Sequence, residues 1–306
     1  MIAGQKIGVV TVTYNSARVI DGFLTSLLGQ SKCDFVLYAV DNASSDETLA
    51  RIGTYNDPRV RVIANEKNLG IAEANNQGIE AALEDGCELV LLMNNDTEFD
   101  LDLVAKLVAG LKQYDCDMAA PKILFHHDPR IIWSAGGGMD ARKGYSGFHH
   151  GYGETDRGQY NQARLVQHAP ACCLLIRKEV FARIGMMDDR YFTYVEDTDF
   201  SYRAMRAGVK LIYLPSAIML HKAHSLTGGL FSEFMMRYTT RNRIYFMLKH
   251  FGPWRGLYYV PAYQAHLLLQ LFLRKVKPSM FWLREKAFFE GLRLWRESLT
   301  VVRKSA

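Results

Sequence analysis

The 306-residue chain is 49% hydrophobic and 23% charged, the balance of an ordinary globular protein, which excludes a disordered chain and leaves room for one large core or two domains. Its five cysteines, at positions 33, 87, 116, 172 and 173, are odd in number and lack metal-ligand spacing, so neither a disulfide framework nor a cysteine metal site is expected, and a reduced, cytosolic chain is. The net charge of +5 hides a split: residues 241–306 carry 13 basic and 3 acidic residues, and the first 240 carry 24 and 29.

The start, "MIAGQKIGVV", has neither the basic opening nor the long apolar stretch of a signal peptide. "KIGVVTVTYN" predicts a strand ending in a polar turn, and residues 16–29 then place Val19, Ile20, Phe23, Leu24, Leu27 and Leu28 at helical spacing. "FVLYAVDN" predicts the second strand. "SSDETLARI" predicts a helix with Ser44 or Ser45 as N-cap and acids in its first turn. "RVRVIAN" is a third strand, and "GIAEANNQGIEAALEDG" a helix interrupted by Gly78 and closed by Gly86. "ELVLLMNND" reads as a buried strand, followed by an amphipathic helix over 100–114. This alternation is the grammar of a parallel α/β sheet with right-handed crossovers.

Residues 134–162 are rich in Gly, His and Tyr without a period, which predicts surface loops that carry a substrate. "RLVQHAPACCLLIRKEVF" returns to strand and helix, with Cys172 and Cys173 as small core residues. "YVEDTDFSYRAMRAG" is a helix with acids at its start and Gly208 as its stop. "VKLIYLP" and "AIMLHK" are two short strands, the second ending at His221.

Ligands of such sheets bind outside the carboxyl ends of the strands. Three predicted strands end alike, in Tyr14-Asn15, Asp41-Asn42 and Asn94-Asn95-Asp96. One polar strand end is a turn; three at one edge suggest a pocket. No G-x-G-x-x-G follows the first strand and no G-x-x-x-x-G-K-[ST] occurs, which disfavours the usual dinucleotide site and P-loop chemistry. Asp96 reads either as a turn residue or as a carboxylate that holds Mg²⁺ or Mn²⁺ together with phosphates. Glu196, Asp197 and Asp199 read either as acids complementing a helix dipole, worth ~0.3–1 kcal/mol each, or as the seat of a general base. Displacement at a sugar carbon joins the two functional readings: a cation on a leaving diphosphate, and a carboxylate to take the acceptor hydroxyl's proton.

"VTYN", "VDNASSD", "KNLGIAEANNQGI", "LLMNNDTE", "FTYVEDTDFSYRAMRAG" and "LHKAHS" occur in this order over residues 6–245. Together they resemble family 2 glycosyltransferases of the GT-A fold, especially the rhamnosyltransferase-like branch of bacterial surface-polysaccharide synthesis. The resemblance implies a Rossmann-like, mostly parallel sheet with helices on both faces. It also implies a catalytic domain over 1–245, with a nucleotide-sugar half at about 1–125 and an acceptor half at about 126–245. Tyr14 and Asn15 would line the nucleotide pocket, Asp41 would hydrogen-bond the pyrimidine base, and Gly70 would let the backbone approach the donor. Asn95 and Asp96 occupy the place of the family's D-x-D element, with Asp96 the metal ligand. Asp197 would be the general base and Glu196 its neighbour in the acceptor pocket. His221 matches a histidine that completes the metal site in some relatives, and reads equally as a structural histidine; His224 is its rival. Arg241 and Arg243 read equally as contacts to phosphate or membrane and as a solvated helix face. The metal element keeps one carboxylate where many relatives have two, so the cation is expected to arrive with the donor diphosphate.

The resemblance implies an inverting transfer of one sugar from a nucleotide-diphosphate sugar (dTDP-rhamnose first, a UDP-hexose second) to a glycan or polyprenyl-diphosphate-linked acceptor. Absence of the Q-x-x-R-W element of processive synthases favours one sugar per encounter. A sugar nucleotidyltransferase would show a Gly-rich, Arg-containing loop after the first strand, which "VTYNSARV" is not; a catalytically inactive nucleotide-sugar or lipid-binding scaffold is the other alternative. The tail, 246–306, contains no spanning helix: "LYYVPAYQAHLLLQLFL" is short and holds Pro261, Gln264, His266 and Gln270. "FWLREKAFFEGLRLWRESLTVVRK" interleaves aromatic and leucine clusters with cations, the pattern of an interfacial helix or of a helical cap with a solvated basic face. Peripheral attachment to the anionic inner face of the cytoplasmic membrane is expected. No nucleic-acid reading motif accompanies the charge.

Overall fold

The computed structural model describes residues 5–30, 32–223, 232–273 and 277–304. The first third runs β1 (Ile7–Thr13), α1 (Ile20–Leu28), β2 (Phe35–Asp41), α2 (Thr48–Thr54), β3 (Val60–Ala64), α3 (Ile71–Glu84) and β4 (Leu89–Met93). β3, β2, β1 and β4 pair in that order and all in parallel. β1 and β4 are apolar at nearly every position because both faces are covered, so alternate residues enter opposite cores. Val9, Leu37 and Leu91 pack with α1 and with α4 (Leu103–Gln113); Val10, Tyr38 and Leu92 pack with α3 and the later helices α5 (Lys178–Ile184) and α6 (Glu196–Arg206).

The sheet continues past β4 through β5 (Thr97–Phe99), β6 (Met118–Phe125), β7 (Asp128–Ser134), β10 (Arg164–Val166), β11 (Cys173–Arg177) and β12 (Leu211–His221). Its order is β10-β12-β6-β11-β4-β1-β2-β3, with β5 on β12 and β7 on β6. β11 runs antiparallel between β4 and β6, whereas β12 is parallel to β6. The two short strands expected over 209–222 are one strand, because the pairing with β6 slips between Leu214 and Ile218 and resumes, which absorbs Pro215. The aperiodic stretch over 134–162 holds a small hairpin of β8 (Gly137–Asp140) and β9 (Ser146–His149). α3 is not interrupted at Gly78. A Cβ there would stand 2.3 Å from Val10 Cγ1, so the glycine lets α3 lie close on β1.

The chain divides into two compact units, Met1–Phe192 with Glu196–Leu226, and Thr193–Val195 with Thr227–Ala306. The second contains α7 (Glu233–Phe272), kinked where Gly252 takes φ 71° ahead of Pro253, and α8 (Pro278–Lys304). Ile244, Leu248 and Phe288 form its core with Tyr259, Tyr263, Leu292 and Trp295. Among the described residues, no helix is long and apolar enough to cross a membrane.

Candidate active site

The loops after β1 and β2 are tied together by the residues that end them. Asn15, at φ 49°, donates its N–H to Ser44 Oγ at 2.9 Å, and its side-chain oxygen accepts Ser45 N–H at 2.9 Å. The Asp41 carboxylate accepts Thr13 Oγ1–H and Ser44 N–H, each at 2.8 Å, and the Ser44 hydroxyl as well. Ser44 is therefore claimed by Asp41 rather than capping α2, whose N-cap is Glu47 without a side-chain bond, a correction to the expected cap. Asp41 is fully buried, so a base reaching it would have to displace Thr13 or Ser44. Tyr14 beside it is half exposed.

Gly70 takes φ 87° at the head of α3, its carbonyl accepts Asn42 Nδ2–H at 3.0 Å, and its α-carbon faces the Phe192 backbone, 2.5 Å from where a Cβ would stand. The close approach this glycine permits in the structure is thus to the segment just ahead of Glu196.

At the end of β4, Asn95 donates from Nδ2 to the Val12 carbonyl of β1, while its Oδ1 is buried without a hydrogen-bond partner. Asp96 is buried, and its Oδ1 lies 3.2 Å from His221 Nε2. The pairing of β5 with β12 sets Thr97 opposite His221 and so carries the histidine to the carboxylate. His221 Nδ1 is buried and unpartnered, and the Trp133 ring meets the imidazole edge-on at 4.6 Å. His224 lies outside the described residues. Neighbouring ligands of a six-coordinate cation with bonds of about 2.1 Å lie about 3 Å apart, so a carboxylate oxygen and an imidazole nitrogen 3.2 Å apart fit one small divalent ion. Among the described residues no group of three or more His, Cys, Asp or Glu is placed to hold a metal ion, so the pair would leave most of its coordination to phosphate and water.

Cys172, at the head of β11, joins this edge to the acids of α6. The Asn94 N–H donates to its carbonyl at 3.0 Å, and its buried thiol is pushed up by burial, then by Cys173, Asp96 and Asp197. One residue back, the Ala171 N–H supports Asp197, so the Ala171–Cys172 backbone runs between the end of β4 and the start of α6. Glu196 is buried with Oε2 unpartnered; burial, then the Asp197 charge, raises its carboxyl above the usual range. Asp197 is only partly covered. Burial raises it, opposed by His149 and by the N–H groups of Thr198 and Ala171. Asp199, the third acid of the motif, is fully buried, accepting Tyr191 O–H at 3.0 Å and pairing with Arg203 Nε at 2.7 Å. It is occupied in holding α6.

Two further rings stand here, Trp133 on β7 and His149 on β9, the latter within the aperiodic stretch 134–162. Trp133 stacks on His149 at 4.8 Å, and His149 on His168 at 5.5 Å. His168 is buried and hydrogen-bonded to Ser201, and burial holds its imidazole down at about 4. This string leads from His221 at the metal-type pair to His149, whose imidazole opposes the upward push on Asp197. Arg241 and Arg243 belong to the second unit, where their guanidinium groups lie over Tyr238 at 4.8 Å and Phe246 at 5.3 Å.

An α/β sheet with a cation-type pair and a pair of raised carboxylates at one edge has the equipment for group transfer from a charged leaving group. Residues 8–185 match the family model of Glycosyl transferase family 2, and the chain belongs to that family. It is 29% identical over 295 residues to N-acetylglucosaminyl-diphospho-decaprenol L-rhamnosyltransferase of Mycobacterium tuberculosis, covering 87% of this chain and 94% of the relative. The dTDP-rhamnosyl transferase RfbF of Shigella flexneri is 25% identical over 222 residues, 71% of this chain and 69% of that one. The mannosyltransferase PcManGT from Pyrobaculum calidifontis, solved with GDP-Man and Mn²⁺, shares the fold: TM-score 0.55 at 15% identity, over 94% of this chain and 87% of that one. The protein is a family 2 glycosyltransferase whose sequence is similar to those of named rhamnosyltransferases.

Proposed function

We propose that the enzyme transfers one sugar, with inversion, from a nucleotide-diphosphate sugar to a glycan or polyprenyl-diphosphate-linked acceptor in cell-surface polysaccharide synthesis. The observation that carries this reading is the buried Asp96–His221 pair, linked through the Asn94–Cys172 backbone hydrogen bond and the Ala171 N–H to Asp197 of the Glu196–Asp197 pair. A relative named a dTDP-rhamnosyl transferase supports dTDP-rhamnose as the first donor, with a UDP-hexose as the second candidate. The decaprenol in one such name supports a lipid-linked acceptor, met at the cytoplasmic face of the membrane.

Tyr14 and Asn15 line the nucleotide, and Asp41 shapes the base-binding loop through Ser44. Gly70 lets the Phe192 backbone close on the head of α3 just ahead of Glu196, and Asn95 offers its unpartnered oxygen to the donor. Asp96 and His221 would hold Mg²⁺ or Mn²⁺, which when bound neutralises charge on the departing diphosphate. Asp197, partly open to solvent and supported by two N–H groups, takes the proton as the acceptor oxygen bonds the anomeric carbon and the diphosphate leaves with the former bonding pair. A single base suffices for inversion. Glu196, raised further by its neighbour's charge, stays protonated more readily and lets Asp197 carry the pair's negative charge.

Calorimetric titration with dTDP, UDP and GDP, with and without Mn²⁺, tests the donor site. Tight, metal-dependent binding of dTDP or UDP is expected; a folded protein that binds none of them would overturn the reading.

A further inference from the structure

The second half of α7 is apolar on two opposite faces. Inward, Tyr259 and Tyr263 pack against α8, with Tyr263 stacked on Phe288 at 5.7 Å. Outward, Trp254, Tyr258, Ala262, Ala265, Leu269 and Phe272 follow one another at intervals of three or four residues, all exposed. Trp254, Tyr258 and Phe272 are 84%, 85% and 84% exposed, values that are costly for aromatic rings in water. The stripe is about 27 Å long at the rise of an α-helix.

α8 turns a different face outward. Trp282, Lys286, Phe289, Arg293 and Arg296 recur at the same spacing and are exposed, so aromatic rings and cations share one strip. Arg293 also pairs with Glu297 at 2.7 Å, one turn on. Gln264 donates to Glu285 at 3.2 Å and Arg284 to Gln270 at 3.0 Å, which ties the end of α7 to the start of α8 and puts Phe272 and Trp282 at the same end of the pair. A protein partner's interface core is depleted in lysine. An anionic lipid surface takes apolar side chains, tryptophan and cations together.

We propose that these faces form a docking surface for anionic lipid, with the outer stripe of α7 lying lengthwise in the bilayer interface and the cations of α8 on the headgroups. The sequence pattern points to α8 as the inserting helix; the exposed side chains assign insertion to α7 and charge to α8. The inference deepens the membrane-side reading above, and its test does not depend on transfer.

The full chain is sedimented with vesicles of phosphatidylcholine alone and of equal parts phosphatidylcholine and phosphatidylglycerol. The wild type should partition onto the anionic vesicles. The double variant Trp254→Glu/Phe272→Glu should partition less by at least about tenfold, since two rings buried in the lipid interface are replaced by charges that the anionic interface repels, while Leu165→Glu, an exposed site in the first unit, should partition as the wild type does. Lys286→Glu/Arg296→Glu should weaken binding to the anionic vesicles alone, which guards against a misfolded apolar variant. Failure of the wild type to bind anionic vesicles, or retention of both double variants, overturns the proposal. So does a wild-type dimer in vesicle-free buffer that Trp254→Glu/Phe272→Glu converts to monomer, because the occupant is then a second copy. Titration of the same proteins with dTDP and UDP reads the donor site separately: loss of nucleotide binding with vesicle binding intact would sink the transferase reading and leave this surface standing.

Discussion

Replacing Gly70 with Ala is expected to damage the protein through the backbone, before any ligand is present. The residue's φ of 87° and ψ of 173° lie in a region almost reserved for glycine, where another residue costs ~1–3 kcal/mol. The new methyl would stand 2.5 Å from the Phe192 carbonyl oxygen and 2.8 Å from its Cα. Both are main-chain atoms, so relief requires moving the chain, at a cost of ~1–3 kcal/mol more. The sum, ~2–6 kcal/mol, is a large share of the ~5–15 kcal/mol that holds a typical protein together. Because the Ile71 N–H donates to the same Phe192 carbonyl at 2.5 Å, the displaced segment is the one leading into Glu196 and Asp197. Urea unfolding should therefore show a loss of several kcal/mol, and turnover should fall even where nucleotide still binds. Gly53→Ala serves as the opposite control: it sits within α2 with nothing inside 4 Å of a Cβ, so alanine should gain ~0.5–1 kcal/mol. A loss below about 1 kcal/mol at Gly70, within the range of an ordinary substitution, would refute the steric reasoning.

Asp197→Asn should lower turnover by ~10²–10⁴ while nucleotide affinity is kept; unchanged turnover would place the base elsewhere. Asp96→Ala and His221→Ala should each weaken the Mn²⁺-dependent part of dTDP or UDP binding in calorimetry, and identical affinity at every Mn²⁺ concentration would remove the pair from the metal site. Since burial raises Asp197, the acid limb of the pH–rate profile should lie above the ordinary carboxylate range near ~4. The raised Glu196 means the folded state holds that proton more tightly than the unfolded chain, so its contribution to stability is full below the unfolded value and is lost as pH rises through the folded one. Glu196→Gln should accordingly flatten the melting-temperature decline between the unfolded and folded values, and parallel wild-type and variant curves would count against it.

What could be read along the chain and what could not follow from where each interaction is closed. β1, β2 and β4 announce themselves because strands covered on both faces are apolar throughout, and the polar residues at their ends are the next letters in the sequence. Asn15, Asp41, Asn95 and Asp96 were legible for that reason. Gly78 was misread as a break because only Val10, on another element, explains it. The Asp96–His221 contact depends on β5, three residues whose strand signal merges with the turn before it, finding β12 from the far end of the catalytic unit. His149 is hidden for a related reason: the β8–β9 hairpin that carries it is built on Gly137, Gly138 and Gly147, which give no periodic signal. The three acids of α6 make the sharpest case, because side by side they look equivalent. Asp199 differs from the others because Arg203 and Tyr191 occupy its oxygens in the core, whereas Glu196 keeps a buried oxygen unpartnered and Asp197 keeps solvent access. Three neighbouring carboxylates are thus sorted into one that holds the helix and the two proposed for the chemistry, by partners that only folding supplies.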